Sequence, residues 1–188
     1  SSFNDSQWLS GKAQLGYGDG DEVTVLDPGK DHQNRHITAY FRKTFTIQDK
    51  SAIPALEMKL LRDDGAVVYI NGVEVYRNNM PLGPVLYETL ASQGIWGSDE
   101  KKYYNTYISP DILQNGENLI AVEVHQSQKY SSDLSFDLQL SKSSSSALKT
   151  ASITGGPYVR VDTSNTAHIW WFTDRECHTT LKFGTSKE

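Results

Sequence analysis

Residues 61–81, LRDDGAVVYINGVEVYRNNMP, decide the fold. Two β-rich runs, Ala66–Ile70 and Val73–Arg77, are separated by only Asn71-Gly72. A two-residue type I′ turn needs positive φ at both central positions, which Asn-Gly tolerates best. The stretch therefore predicts an antiparallel hairpin, preceded by a polar Asp63-Asp64-Gly65 turn and followed by Asn79-Met80-Pro81. Outward from it, period-two alternation recurs. Ala39, Phe41, Phe45 and Ile47 share one face of a run, as do Leu56, Met58 and Leu60, then Ile120, Val122 and Val124, then Leu134, Phe136, Leu138 and Leu140. Such alternation marks half-buried antiparallel strands. Pro110–Leu113 predicts one short helical turn, ended by Asn115-Gly116. Many short strands without βα alternation predict an all-β sandwich of jelly-roll type.

Composition narrows the function. The chain has 188 residues, 37% apolar and 22% charged, which is enough to bury a core. Its net charge of −5 carries no basic stripe to neutralise phosphates, so nucleic acid and anionic lipid are not expected partners. No apolar run reaches the ~20 residues of a membrane span. Ser-Ser-Phe-Asn-Asp at the start is not a signal peptide. The single cysteine, Cys177, excludes an internal disulfide framework and reads as a small buried hydrophobe or a bystander.

A serine-rich break, Ser141–Ser146, leads to Gly155-Gly156-Pro157. Three domain segments are expected: a sandwich over residues 1–141, a Ser/Gly-rich linker over 142–156, and a second unit over 157–188. The second unit holds three strand-like runs, Tyr158–Val161, Ala167–Phe172 and Thr179–Phe183. A fibronectin-like sandwich needs about seven strands, so this unit is expected to be the first part of one. Its tail is expected to be disordered, docked on the first domain, or paired with another chain.

Several motifs in order carry a resemblance: Trp8, Leu15–Asp19, Ala39–Arg42, Asp63-Asp64-Gly65, Tyr69–Gly72, Asn79-Met80-Pro81, Gly116-Glu117-Asn118, Val122–Gln126 and Ser132–Asp137. They resemble a galactose-binding-domain-like β-sandwich of large extracellular bacterial proteins. The tail, from Gly156-Pro157-Tyr158 through Ile169–Asp174 to Phe183–Ser186, resembles the start of the fibronectin-type domain preceding purple-acid-phosphatase-like metallophosphoesterases. The resemblance implies a secreted parent, extracellular or cell-surface, with a two-metal catalytic domain downstream as this module's partner. None of that domain's G-D-x-x-Y, G-N-H or G-H-x-H motifs occurs here. The chain is therefore expected to be non-catalytic. The galactose-binding-like class also implies sugar recognition through loops and a possible structural calcium.

Candidate sites follow from residue chemistry. Asp19, Asp21 and Glu22, in a glycine-punctuated loop, offer hard oxygens for calcium, or form a plain acidic turn. The loop is not an EF-hand, because Thr24 stands where the sharp-turn glycine belongs. Asp63-Asp64 is either turn chemistry, or a carboxylate that accepts from sugar hydroxyls or ligates a cation. An adjacent pair on opposite faces of an extended chain is poor geometry for glycoside hydrolysis. His125, Gln126, Ser132 and Asp133 flank a short loop and form either a polar binding patch or a buried hydrogen-bond network. No G-x-S-x-G elbow supports a Ser-His-Asp hydrolase. His32 and His36 lie in loop text, which argues against zinc. Trp96, flanked by glycines in Gln93–Asp99, is either an exposed contact ring or a plug at the end of the sandwich. Of Trp170-Trp171, one ring is expected in a core and the other against a neighbour.

The expected ligand contacts are thus Trp96, Asp64, His125, Gln126 and Asp133, with carbohydrate as ligand and no catalytic residue. The competing expectation is a spacer that packs on the catalytic domain and binds nothing. A calcium-dependent adhesion module is the third.

Overall fold

The computed structural model describes residues 3–29, 31–143, 153–161, 163 and 166–173. The chain divides into two compact units, Ser1–Leu148 and Lys149–Glu188. The first is a β-sandwich. Its strands are β1 (Leu15–Tyr17), β2 (Thr24–Val25), β3 (Thr38–Ile47), β4 (Leu56–Asp63), β5 (Gly65–Ile70), β6 (Val73–Asn78), β7 (Tyr104–Ile108), β8 (Gly116–His125) and β9 (Leu134–Lys142). One sheet runs β2-β1-β9-β4-β7 and the other β3-β8-β5-β6.

The hairpin forms as expected. Ile70 pairs with Val73, while Asn71 and Gly72 take φ of 53° and 82°. Asn71 also serves the rest of the sheet: its Oδ1 accepts from Leu119 N and its Nδ2 donates to Asn118 Oδ1. Asn118, 1% exposed, fills its side-chain capacity, because Nδ2 donates to the carbonyls of Gln114 and Gly116 while Oδ1 accepts from Gln114 N as well as Asn71. The one-turn 3-10 segment at Pro110–Ile112, capped by Ser109, falls where a short helical turn is expected.

Alternation places the core between the sheets. Met58, Leu60, Leu134 and Phe136 from the first sheet meet Val68, Ile70, Val122 and Val124 from the second. Phe41 and Phe136 stack with centroids 4.2 Å apart. Fully burying a side chain of this kind contributes about 1.5–3 kcal/mol, so the core far outweighs any single surface contact.

The Asp63-Asp64-Gly65 turn is not on the surface. β4 belongs to one sheet and β5 to the other, so Asp64 is the corner where the chain changes sheets. Asp63 and Asp64 are 2% and 3% exposed. Gly65 fits because nothing larger does: a Cβ there would stand 2.6 Å from Asn79 O and 2.7 Å from Met80 Sδ. The segment after β6 folds back over the second sheet, and Met80 and Ala91 form a small separate core with Val67.

The second unit contains β10 (Ile153–Val161) and β11 (Ala167–Thr173), an antiparallel pair. β10 begins at Ile153, so the last four residues of the stretch read as linker, Ile153–Gly156, are strand; a bulged register there accommodates the glycines and Pro157. Cys177, the run Thr179–Phe183 and the Trp170 side chain lie outside the described residues.

Candidate functional site

Three segments meet at one end of the sandwich around an open cavity of about 290 Å³. They are the Asp64 corner, residues 91–96 with Glu100, and the loop 127–133. Asp64 builds the meeting point: one carboxylate oxygen accepts from Ile95 N at 2.8 Å and the other from Ser127 N at 2.7 Å. Both loops are thereby tied to the corner by charge-assisted bonds. Asn79, at φ 54°, adds a second tie, its Nδ2 donating to Asp64 O and Gln93 O. Of the expected contacts, Asp64 lines the cavity, but its carboxylate oxygens are already engaged by backbone amides.

Trp96 stands at the rim, 77% exposed. A Cβ on Gly94 would lie 2.9 Å from the Trp96 ring and 3.2 Å from Ser127 Oγ, so the glycine makes room for the indole. The plug alternative is thus not what the structure has. Tyr130, 60% exposed, also lines the cavity. Asp133 lines the opposite segment; the hydroxyls of Ser132 and Ser131 lie 3.2 and 3.4 Å from its Oδ1.

His125 and Gln126 are not surface contacts, which corrects the expectation. Both are 0% exposed. The His125 Nδ1 lies 2.7 Å from Thr89 O and 3.0 Å from Thr38 Oγ1, and its Nε2 faces Glu123 Oε2 at 3.5 Å. Gln126 Nε2 donates to Tyr17 OH and to Asp133 O, and its backbone joins Ile37 and Ala91. Their work is to hold Asp133 and the two loops from behind. A polar pair ending an apolar strand reads the same in sequence whether it faces solvent or supports a loop.

Asp19, Asp21 and Glu22 do not gather into one cluster. Glu22 accepts from the Asp19 and Gly20 amides, Asp21 pairs with Lys101 at 2.9 Å, and Asp19 Oδ2 accepts from Ser135 Oγ. Each carboxylate faces a different donor, and among the described residues no three His, Cys, Asp or Glu side chains form a group suited to a metal ion.

The cavity is acidic. Asp64, Glu100 and Asp133 line it, and no Lys or Arg does. The strain of this crowding reaches its neighbours. Burial first, then the Asp133 charge, raises Asp19; burial, then Asp133 and Asp19, raises Glu100. Burial, followed by the Asp64 and Asp133 charges, pushes Asp63 up to about 9, so Asp63 is neutral at pH 7. Glu100 and Ser127 stand in no motif of the sequence, and Asn79 and Gln93 stand in it only as flanks of the hairpin and of Trp96. Only the nearness of Glu100 to the glycine-flanked Trp96 offered a signal.

An exposed flat ring at a polar, hydroxyl- and carboxylate-lined cavity suits a ligand with an apolar face and hydroxyl edges. No family model matches the chain, and no curated protein matches it in sequence. Among solved structures it is similar to an α-L-rhamnosidase from Aspergillus terreus, with 15% identity, TM-score 0.40, and coverage of 76% of this chain and 14% of that one. It is similar to an α-L-rhamnosidase from Streptomyces avermitilis complexed with L-rhamnose, with 16% identity, TM-score 0.36, and coverage of 72% and 10%. It is also similar to a β-glycosidase from Bacteroides vulgatus, with 23% identity, TM-score 0.34, and coverage of 76% and 17%. The chain spans under a fifth of each of these enzymes. At such scores the similarities carry no conclusion about what this chain binds. None of the three is a metallophosphoesterase, so the sequence resemblance to that front end gains nothing from them.

Proposed function

We propose that the chain is a non-catalytic carbohydrate-binding module of a longer secreted protein. The observation that carries this reading is Trp96, 77% exposed at the rim of a polar cavity and seated over Gly94. Leaving an indole in water is unfavourable, and stacking it on the C–H face of a sugar ring removes apolar area from water. Gln93, Ser127, Gln128 and Asp133 supply groups for the hydroxyl edges. Asp64, which an acid–base reading would need, is engaged by two amides, and this supports a binding rather than a hydrolytic role.

The parent enzyme in this proposal carries its catalytic domain elsewhere, and the tail's sequence resemblance favours a phosphoesterase-like one. The test is calorimetric titration of the chain with a panel of neutral oligosaccharides. Binding should be detected, and Trp96→Ala should weaken it at least tenfold, as expected for an aromatic hot spot, with an unchanged melting temperature. No binding by a folded chain would refute the proposal. A spacer role is the second reading, favoured by the exposed Val23 and Val25 beside and on the sheet-edge strand β2. It expects no ligand and a loss of parent stability when those valines become serine.

A further inference from the structure

We infer that the cavity under Trp96 selects its sugar by charge, taking units that carry an ammonium group, as amino sugars do, and rejecting uronate or sulfated units. This rests on the carbohydrate reading above. Three carboxylates line the cavity and no cation does. Lys129 belongs to the loop 127–133 but does not line the cavity, and Lys101 and Arg35, also outside the lining, have partners of their own. Lys101 pairs with Asp21 at 2.9 Å, and Arg35 donates to Ser132 O at 2.6 Å and lies over the Tyr17 ring. The lining itself is therefore net negative, with Lys101 offsetting part of the Glu100 charge from outside it.

The carboxylates have separate tasks. Asp64 holds the two loops through the Ile95 and Ser127 amides, so its oxygens are already engaged. Asp133 has only long contacts to two serine hydroxyls, and its backbone carbonyl is fixed by Gln126 at 2.6 Å. It is thus a held, under-satisfied acceptor. Glu100, the third lining carboxylate, takes a hydrogen bond from the Gly97 amide and, among the described residues, none from a side chain. An ammonium has three donors and no acceptor, which matches two carboxylates better than a hydroxyl does. A bare divalent cation fits less well, since the acidic side chains do not form a metal-type group among the described residues. A carboxylate or sulfate on the sugar would meet like charge with no lining cation to offset it. Even in water-like dielectric, a unit charge about 6 Å from one such carboxylate gains or loses roughly threefold in affinity, and two give about tenfold before salt screening.

The test uses the whole chain and three matched β-1,4 oligomers: glucose, glucosamine and glucuronate. Calorimetric titration at pH 7 is run in low and high salt, with and without chelator. The glucosamine oligomer should bind about tenfold tighter than the glucose oligomer. Glucuronate should bind least. The advantage should shrink in salt, and should fall in Asp133→Asn and in Glu100→Gln; the second variant keeps an oxygen acceptor for the Gly97 amide, so it reports even where the first destabilises the loop. Trp96→Ala should weaken both the glucose and glucosamine oligomers. If the glucose oligomer binds through Trp96 with equal or greater affinity, the charge inference fails and the carbohydrate reading stands. A glucosamine advantage that persists in Trp96→Ala is adsorption to a chain of net charge −5 and overturns the inference. An advantage abolished by chelator overturns it in favour of a bridging metal. If none of the three binds, and the neutral panel is also silent, both readings fall.

Discussion

Asp64→Ala is the most informative single change, because the carboxylate joins three segments at once. Its removal strands the amides of Ile95 and Ser127, which now donate at 2.8 and 2.7 Å to an anion. A hydrogen bond to a charged group contributes about 1.5–3 kcal/mol, so the gross loss is roughly 3–6 kcal/mol. Water entering through the open cavity re-solvates part of the loss and reduces it. A net loss of about 2–4 kcal/mol follows. With a urea slope near 2 kcal/mol per molar, the unfolding midpoint should fall by about 1–2 M. Hydrogen exchange gives the local readout: the Ile95 and Ser127 amides should be protected in the parent and exchange freely in the variant. Asp64→Asn should recover less than half, since its amide nitrogen would face a backbone donor. A variant within 0.5 kcal/mol of the parent, with both amides still protected, would refute the clamp.

Asp63→Asn tests the buried carboxyl. Its folded-state value, pushed up to about 9 from an ordinary 3.8, means that the native state holds a proton the unfolded chain releases. Stability should therefore decline as pH rises from about 4 to about 9. The Asn variant should be more stable than the parent at pH 8 and equal to it near pH 4 in denaturant titrations; equal stability at both would count against a protonated Asp63. Gly65→Ala would drive a Cβ to within 2.6–2.9 Å of Asn79 O, Met80 Sδ and Ala91. It should cost about 1–3 kcal/mol and open the 79–91 segment to protease. Asn118→Ala removes all four side-chain bonds at the hairpin end and should cost about 2–3 kcal/mol by thermal or chemical denaturation. Gly94→Ala should displace the indole without lowering stability, and reduce sugar affinity as Trp96→Ala does.

The long strands were legible because their signal is local. Asn71-Gly72 sets its own turn, and alternation along β3, β4, β8 and β9 marks one buried face. β1, β2 and β7 were missed for want of length or contrast: Leu15–Tyr17 and Thr24–Val25 are too short to show a period, and Tyr104–Ile108 mixes polar and aromatic residues. The site was half legible. Trp96 is flagged by its flanking glycines, and Asp133 by its place beside a strand. The role of Asp64 was not, since its partners lie 31 and 63 positions away, and a surface turn and a buried corner share the text Asp-Asp-Gly. His125 and Gln126 misled for the same reason: which side of a loop a polar side chain serves is a tertiary fact.

The Asp64 clamp grips the chain at peptide nitrogens, and every residue except proline presents one. The identity of the side chains at 95 and 127 is therefore invisible to the corner that secures them. The recognition surface can be rewritten at those positions and their neighbours while the scaffold stays indifferent. Such a separation makes this end of the sandwich interchangeable: new ligand preferences are open to substitution in 93–96 and 127–132 without renegotiating the fold, for selection in nature and for library design at the bench alike.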